Sequence, residues 1–334
     1  MKRGILTAGN FIVDSVKVID AYPAEDMLAI IRGESRCNGG GPYNVLKDLA
    51  AMGADYPLAA AGLIGRDEAG DWIREDCAAH GIDTSLLVST DAASTSYTDV
   101  MTNRGNGRRT FFHQPGANAY FDGEPIDFEK VGARIFHLGY LMLLDRLDGF
   151  AADGRTRAAH LLERASAAGL ITSVDVVSTE HPEFQRIACS ALPQVDFLVI
   201  NELEAARILG QPVDSLADAA AGLLELGVRQ AVVIHTERGA VAAERGGASF
   251  SQGSVRVPDE MIRGANGAGD AFAAGFLHGL HEGHPMVDRL KLGVCAAAAC
   301  LSDPTPSDGL RSIDECLAIG NACGFRDCFG ADGG

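Results

Sequence analysis

A glycine-rich segment near the C-terminal end of the chain carries the residues best suited to chemistry. Residues 264–270 read GANGAGD, and the small and aromatic residues that follow, AFAAGFL, have the pattern of a helix. The glycines therefore precede a helix N-terminus, where free backbone N–H groups and the positive end of the helix dipole bind anions without a basic side chain. Glycine also lets the backbone approach an anion closely. The segment predicts a phosphate-binding turn.

Asp270 ends this segment, and two roles are open to it. A carboxylate in the first turn of a helix is favoured by the dipole, which is a common structural role for Asp. The same carboxylate beside a phosphoryl group can act as a general base on an attacking hydroxyl. The seven residues alone favour neither role. They do not form the GxGxxG of dinucleotide-binding folds, and GxxxxGK[ST] occurs nowhere in the chain, which excludes P-loop chemistry.

A second glycine cluster, residues 39–41, precedes a predicted helix over 42–52. Pro42 suits the first helical position and Gly53 the C-terminal stop. Three glycines in a row form either a simple turn or a close approach to a polar ligand, and the inward-facing Asn44 favours the ligand. Glycine pairs also tolerate the dihedral changes of a hinge.

Strand-like and helix-like segments alternate along most of the chain. Strands are predicted over residues 4–13, 56–64, 134–143, 170–177, 197–201, 230–235 and 239–244. Helices are predicted over residues 42–52, 69–80, 154–168, 202–209, 216–226, 268–282, 286–301 and 313–323. Near-continuous apolar strands between helices indicate an α/β fold with a Rossmann-like, doubly wound, mostly parallel sheet flanked by helices. We expect a single domain over residues 1–334.

Two stretches interrupt this alternation. Residues 15–37 and 94–114 alternate polar and apolar side chains, with turn residues at 103–107. This pattern predicts a hairpin and extra strands in a small, one-sided sheet. A small β-sheet inserted into a doubly wound core is typical of a lid, and its unpaired edge strands favour a homodimer formed through the lid.

The composition limits the partners of the chain. Its 334 residues include 28 Lys and Arg against 45 Asp and Glu, a formal net charge of −17, with a pI of about 4.9. Such a chain repels phosphate backbones and anionic bilayers, so we expect no nucleic-acid and no membrane partner. No apolar run approaches the roughly 18 residues of a membrane span. The eight cysteines show no CxxC pair and no zinc spacing, which is typical of a reduced, cytoplasmic protein.

Seven motifs in order give the chain a resemblance to the ribokinase-like (PfkB-type) carbohydrate kinases, over roughly residues 4–310. The first family signature, a GG-x-x-x-N helix start with a small-residue end, is seen at residues 39–53. The second, DTxGAGD followed by AFxAGF, is matched by GAGD at 267–270 and its continuation. The other matches are G-x-x-x-x-D at 9–14, G-x-D-x-x-G at 65–70, GAN at 116–118, NxxE at 201–204 and the nucleotide-loop pattern at 236–240.

The resemblance implies a ribokinase-like fold and the ATP-dependent phosphorylation of a hydroxyl on a sugar or sugar-derived molecule, with Mg²⁺. It makes Asp270 the catalytic base. The implied anion hole for the γ-phosphoryl is formed by Gly267, Ala268 and Gly269. The implied acceptor contacts are Asp14, Gly39, Gly40, Asn44 and Asn118. The implied nucleotide contacts are Asn201, Glu204, Thr236 and Gly239, with Glu204 binding Mg²⁺ indirectly.

Alternatives remain for both the residues and the function. Asn201 and Glu204 could only start a helix, Asp14 could only end a strand, and Thr236 could only form a turn. Within the same fold, a nucleoside kinase is the alternative activity. A non-catalytic nucleotide or sugar binder is a second alternative, against which the intact Asp270 counts. A dinucleotide-dependent oxidoreductase is the third, and its fingerprint is missing.

The chain departs from the family pattern at residues 264 and 265. Gly264 and Ala265 stand where the family has Asp-Thr, and that Asp contributes to a monovalent-cation site in several members. Its loss argues against activation by potassium.

Arg109 lies in the basic and aromatic stretch 108–113. In so acidic a chain, this stretch predicts a lid strand that faces substrate rather than a nucleic-acid surface. Arg109 could bind an anionic acceptor, such as a sugar acid or a sugar phosphate.

Overall fold

The computed structural model describes residues 2–105 and 108–327, and a nine-stranded sheet forms its core. The strands of this sheet are β1 (Ile5–Gly9), β4 (Leu58–Gly65), β5 (Asp83–Thr90), β8 (Ile135–Leu141), β9 (Ile171–Val176), β10 (Phe197–Asn201), β11 (Ala231–Thr236), β12 (Gly239–Glu244) and β13 (Ser249–Gly253). Their order is β13-β12-β11-β10-β9-β8-β1-β4-β5. The strands from β11 to β5 are parallel, whereas β12 and β13 are antiparallel to their neighbours. The predicted mostly parallel sheet is confirmed.

Helices cover both faces of this sheet. Those of the described residues are α1 (Gly41–Ala51), α2 (Glu68–Ala79), α3 (Asp145–Asp148), α4 (Arg157–Ala167), α5 (Phe184–Ala191), α6 (Glu202–Leu209), α7 (Leu216–Glu225), α8 (Ala268–His281), α9 (Met286–Cys300) and α10 (Ile313–Cys323). Alternate residues of each strand point to opposite faces. Ile5 therefore joins the core beneath α1, α8 and α9, whereas Leu6 joins the core beneath α4, α5 and α7. No helix of the described ranges is long and apolar enough to cross a membrane.

A second, four-stranded sheet stands apart from the core and corresponds to the predicted lid. Its strands are β2 (Ile12–Ile19), β3 (Ile31–Gly39), β6 (Ser96–Asn103) and β7 (Arg109–Gln114), in the order β3-β2-β6-β7. The β6–β7 pair is antiparallel, which confirms the predicted hairpin. Asn106 and Gly107 of the predicted turn lie outside the described residues.

The predicted single first strand over residues 4–13 is wrong, because the chain leaves the core sheet at Asn10. The side chain of Asn10 donates from Nδ2 to the carbonyl of Leu143 (3.0 Å) and accepts at Oδ1 from the amide of Tyr140 (2.6 Å). These contacts end β1 and direct the chain into β2 of the lid. Apolar periodicity shows only that both strands are buried, so it cannot reveal the passage from one sheet to the other. The prediction also omits the sheet-edge strands β5 and β13, which bury few side chains.

The packing of α8 against α9 depends on small residues. A Cβ atom on Gly275 would lie 2.6 Å from the carbonyl oxygen of Leu292, and one on Gly293 would lie 2.7 Å from the ring of Phe272. Such distances leave no room for a methyl group unless the helices separate. This contact fixes α8, the helix that carries Asp270.

We predict that Gly275→Ala destabilises the protein by about 1–3 kcal/mol, because the added methyl group forces α8 and α9 apart. Urea unfolding monitored by circular dichroism measures the change. Gly222→Ala in α7 is the matched control: its Cβ atom would meet only a flexible Leu209 side chain, at 3.3 Å. Alanine there should stabilise the helix by up to about 1 kcal/mol. An unchanged unfolding midpoint for Gly275→Ala would contradict the prediction.

Candidate active site

The site is built around the N-terminus of α8. Gly267 is the N-cap and adopts a left-handed conformation (φ 78°), which favours glycine, and a Cβ atom on it would lie 2.7 Å from Pro306. The amide of Ala268 makes a long contact with the carbonyl of Ala265 (3.4 Å). Within the described residues, the amides of Gly267 and Gly269 have no hydrogen-bond acceptor. The turn therefore presents free N–H groups at the positive end of the helix dipole, as an anion site requires.

The carboxylate of Asp270 is buried beside these amides, with only 5% of the residue exposed. It accepts hydrogen bonds from Asn44 Nδ2 (2.7 Å) and from the hydroxyl of Tyr140 (2.6 Å). Burial raises the pKa of Asp270 above that of an ordinary carboxyl, and these two hydrogen bonds oppose the rise. The result is an oriented carboxylate whose affinity for a proton is higher than in water, which suits a general base.

A network of buried amides fixes the orientation of Asn44. Asn38 Nδ2 donates to Asn44 Oδ1 (2.7 Å) and to the hydroxyl of Ser307 (2.9 Å). Because Asn44 Oδ1 is thereby an acceptor, its Nδ2 group is left to donate to Asp270. Sequence reasoning found Asn44 but missed Asn38, Ser307 and Tyr140. Tyr140 reaches Asp270, and Ser307 reaches Asn38, from distant parts of the chain. Asn38 lies six residues before Asn44, just outside the glycine motif.

Asp14 lies on β2 of the lid, buried against β3. A Cβ atom on Gly39 would overlap its carboxylate. Burial raises the pKa of Asp14 to about 7, against the hydrogen bond from Thr98; the charge of Asp270 adds to the rise, and that of Arg109 opposes it. Asp14 and Asp270 are therefore close enough to interact electrostatically, one from the lid and one from the core.

The absence of side chains at residues 39–41 also lets other parts of the chain pack closely against this segment. Gly40 has φ 88°, and a Cβ atom on it would overlap the carbonyl of Asn10. A Cβ atom on Gly41 would lie 2.6 Å from the ring of Tyr140. Gly41 therefore makes room for the tyrosine that donates to Asp270. This contribution could not be inferred from the GGG pattern.

Asn118 and Arg109 each have a defined partner. Asn118 is buried and brackets the backbone of Phe11, accepting from its amide (3.4 Å) and donating to its carbonyl (3.2 Å). Arg109 donates from Nη2 to the carbonyl of Pro304 (3.0 Å), while its buried Nε has no partner among the described residues. Their contact with an acceptor remains a prediction.

A cavity of about 640 Å³ borders the anion turn, within the size range of small-molecule sites. Gly269, Asn201, Thr236 and Gly239 all line it. Its far part is apolar and is formed by Val255, Val257, Phe272, Val294, Ala297, Ala298 and Leu301. Thr236 forms a turn, accepting at its hydroxyl from the amide of Arg238 (3.0 Å). A polar mouth beside free amides and an apolar slot suit a phosphate chain and a flat base.

Asn201 and Glu204 form a capping box at the start of α6. Asn201 Oδ1 accepts from the amide of Glu204 (2.9 Å), and Glu204 Oε2 accepts from the amide of Asn201 (2.8 Å). The hydroxyl of Ser178 donates to Glu204 Oε1 (2.7 Å). Asn201 and Glu204 therefore do start a helix, which was the structural alternative for this pair. Asn201 and Ser178 nevertheless also line the cavity.

Two further buried carboxyls, Asp175 and Glu204, interact electrostatically with Asp270. Burial raises the pKa of Glu204 to about 7 and that of Asp175 well above its usual value, and the two carboxyls repel each other. Asp175, which the sequence prediction missed, is buried and also interacts with the charge of Asp270. In residues 2–105 and 108–327, no three His, Cys, Asp or Glu side chains lie close enough to bind a metal directly. The arrangement suits Mg²⁺ held through water and phosphate, as this cation prefers.

A doubly wound sheet, a separate small sheet and a carboxylate beside free amides at a helix N-terminus are the features of a ribokinase-like kinase. The sequence model of the pfkB family carbohydrate kinases matches residues 8–313, and the chain belongs to this family. It is therefore a member of a family of phosphotransferases, and the predicted ribokinase-like fold is confirmed.

Individual relatives span several acceptors. The chain is 25% identical to a ribokinase of Arabidopsis thaliana over 89% of its own length and 76% of the relative's. It is 23% identical to a deoxyribokinase of Salmonella typhi over 93% and 96% of the two chains. The solved structure of Arabidopsis thaliana ribokinase with ribose and ATP superposes with a TM-score of 0.78 at 21% identity, covering 96% and 99%. A nucleoside kinase of Methanocaldococcus jannaschii superposes with a TM-score of 0.75 at 16% identity, covering 96% and 99%.

We predict that Tyr140→Phe shifts the acid limb of the pH profile of kcat/KM to higher pH. The Tyr140 hydroxyl stabilises the charged form of Asp270, so its removal raises the pKa of Asp270, and the base becomes protonated earlier as the pH falls. Rates measured from pH 5 to 9 test this. Tyr120→Phe, at a half-exposed tyrosine, is the control and should leave the profile unchanged. A shift to lower pH would contradict the assigned roles.

Proposed function

We propose that the protein transfers the γ-phosphoryl group of ATP to a hydroxyl of a sugar or sugar-derived small molecule, with Asp270 as the general base. One observation carries this proposal. The buried carboxylate of Asp270 directly follows the free amides of the anion turn, interacts electrostatically with Asp14 of the lid, and is next in the chain to Gly269, which lines the 640 Å³ cavity. This is the arrangement that an in-line transfer between two bound molecules needs.

The reaction follows from this arrangement. Asp270 accepts the proton of the acceptor hydroxyl as its oxygen attacks the γ-phosphorus, and ADP leaves on the opposite side. The amides of Gly267 and Gly269, with Ala268 once its long contact opens, donate to the phosphoryl oxygens as charge builds up. Each preorganised donor of this kind contributes about 10²–10³ in rate. Asn44 and Tyr140 hold the carboxylate in position for the proton.

The acceptor lies between the lid and α1. Asp14 and Asn44 offer a carboxylate and an amide that can bind neighbouring hydroxyls. The peptide groups of Gly39 and Gly40 line the same region, and Asn118 supports it through Phe11. The Nε of Arg109, which has no partner among residues 2–105 and 108–327, is available to donate to an acceptor oxygen and favours a carboxylate or phosphate on the acceptor.

The nucleotide occupies the cavity, with its base in the apolar slot and its phosphates at the anion turn. Thr236 and Gly239 contact the ribose and phosphates, and Asn201 and Glu204 hold Mg²⁺ through water. When bound, Mg²⁺ neutralises charge on the β- and γ-phosphates. Closure of the lid over the acceptor excludes water, so that ATP is not hydrolysed.

A nucleoside kinase is the second candidate function, and one of the relatives supports it. A cytidine kinase of Thermococcus kodakarensis is 27% identical over about half of each chain (51% and 56%). The same base, anion turn and nucleotide cavity would serve that reaction. Only the acceptor side would differ.

The experiment is an ATP-consumption screen across hexoses, pentoses, sugar acids, sugar phosphates and nucleosides, with wild type and Asp270→Asn. The substitution removes the proton acceptor, so kcat should fall about 10²–10⁴-fold on the accepted substrate. Asp288→Asn is the matched control, an exposed carboxylate in the first turn of α9, and should retain the wild-type rate. If no acceptor supports turnover, the protein is a binder; if Asp270→Asn keeps its rate, Asp270 is not the base.

We further propose a cytoplasmic homodimer formed through the lid, without nucleic-acid partners. β3 and β7 are the edges of the lid sheet, and large apolar side chains are exposed on the lid or beside it: Tyr22, Met27, Leu28, Ile30, Ile31, Tyr97, Phe111 and Phe112. Unpaired edges with exposed apolar residues favour association. The net charge of −17 repels nucleic acid.

We predict that Phe112→Lys converts this dimer to a monomer, since it places a charge in the apolar patch. Light scattering coupled to gel filtration measures the mass. Thr110→Lys, at another exposed position of β7, controls for the added charge. A wild-type protein that is monomeric at all concentrations would contradict the dimer.

A further inference from the structure

Arg109 joins the lid to a loop that supports the anion turn. It lies on the edge strand β7, and its Nη2 reaches the carbonyl of Pro304, 195 residues further along the chain. The loop that follows α9 is braced internally, because the carboxylate of Asp303 accepts from both the amide and the hydroxyl of Thr305 (2.8 Å each). The guanidinium is therefore attached to a defined structure rather than to a loose segment.

The space occupied by the guanidinium is available because residue 264 is glycine. A Cβ atom on Gly264 would lie 2.8 Å from Arg109 Nη2, 2.9 Å from Pro304 Cα and 3.2 Å from the carbonyl oxygen of Asp303. Any side chain at this position would have to displace the arginine or the loop. The family has Asp here, so this chain lacks the carboxylate and places a guanidinium against the same point of the backbone.

The same loop packs against the anion turn. A Cβ atom on Gly267 would lie 2.7 Å from Pro306. Cys300 Sγ contacts the carbonyls of both Asn266 (3.3 Å) and Pro306 (3.2 Å). A displacement of the loop therefore displaces the amides that bind phosphate. Arg109 is in a position to fix the loop, and through it the anion turn, whenever the lid is closed.

The electrostatic setting suits a permanent cation. The guanidinium is partly desolvated, which lowers its pKa, but an arginine remains charged at any pH relevant to activity. Burial raises the pKa of Asp14 and of Cys300, and the charge of Arg109 opposes both rises. An exchangeable cation at this point would lack the carboxylate of residue 264, compete with Arg109 for the Pro304 carbonyl and be repelled by the guanidinium. The residues present do not fit a monovalent metal ion.

We propose that Arg109 is a built-in cation that replaces an exchangeable monovalent ion beneath the anion turn and couples lid closure to the geometry of that turn. Arg109 is thus a positioning residue for phosphoryl transfer, and this inference rests on the proposed kinase function. It predicts a kinase that is indifferent to potassium and sodium and whose rate depends on Arg109.

The first experiment compares potassium, sodium and choline chlorides at equal ionic strength. Both the rate on a neutral acceptor and the thermal unfolding temperature are measured, because an ion that binds only the folded protein raises that temperature without any turnover. We expect rates within about twofold and equal unfolding temperatures in the three salts. Activation by potassium of about tenfold or more, or a higher unfolding temperature in potassium alone, would overturn the proposal. If no acceptor is found, the kinase function fails, and the unfolding comparison still tests the cation.

The second experiment exchanges the fixed cation for a carboxylate. Arg109→Ala should lower kcat about tenfold or more with a smaller change in the KM for ATP, and Arg109→Lys should retain part of the rate. Arg32→Ala is the control, since Arg32 is another lid arginine but pairs only with Asp20 (2.6 Å) among the described residues. The double variant Arg109→Ala/Gly264→Asp removes the guanidinium and supplies the acid, while the loop at Pro304 must still shift to admit the new side chain. Its unfolding temperature should rise in potassium. A wild-type kcat for Arg109→Ala, or a folded double variant without a potassium response, would contradict the proposal.

Discussion

The burial of the Asp270 carboxylate at the start of α8 is the constraint on which most of the site depends. A charge removed from water costs several kcal/mol unless other donors replace the lost hydration. Asn44 and Tyr140 are those donors, and each needs further support. Asn38 orients the amide of Asn44, and the absence of a side chain at Gly41 admits the ring of Tyr140. The helix dipole and the amides of the anion turn complete the environment. The burial of one carboxylate thus explains why Asn38, Asn44 and Gly41 stand where they do.

The same constraint explains how an acidic protein can attract a polyanion. The site offers backbone N–H groups rather than a basic patch, and these carry no net charge into a chain whose charge is already −17. Asp175, Glu204 and Asp270 interact electrostatically with one another. In the proposed reaction, such repulsion would disfavour a bare nucleotide and favour one that arrives with a divalent cation.

Much of the fold could be predicted from the sequence, because buried parallel strands and amphipathic helices leave clear periodic patterns. The bounds of β10, β12, α6 and α10 match their predictions, and the lid appears where alternation replaces continuous apolar runs. In the candidate site, the structure brings together Asp270 and Asn44, which the sequence had singled out because each lies next to a glycine cluster at a helix start. Tyr140, Asp175 and Ser307 escaped prediction because only the folded chain brings them to the site, whereas Asn38 escaped because it lies just before the glycine motif at 39–41. The turn at Asn10 escaped because an apolar run does not show which sheet it enters.

The contact between Arg109 and Gly264 also limits how this sequence can change over evolutionary time. A larger residue at 264 is excluded while the arginine is present, and loss of the arginine leaves a gap beside Pro304 that glycine cannot fill. A substitution at only one of the two positions should therefore impair the protein. The pair should therefore be inherited as a unit, and lineages that carry the glycine should carry the arginine with it.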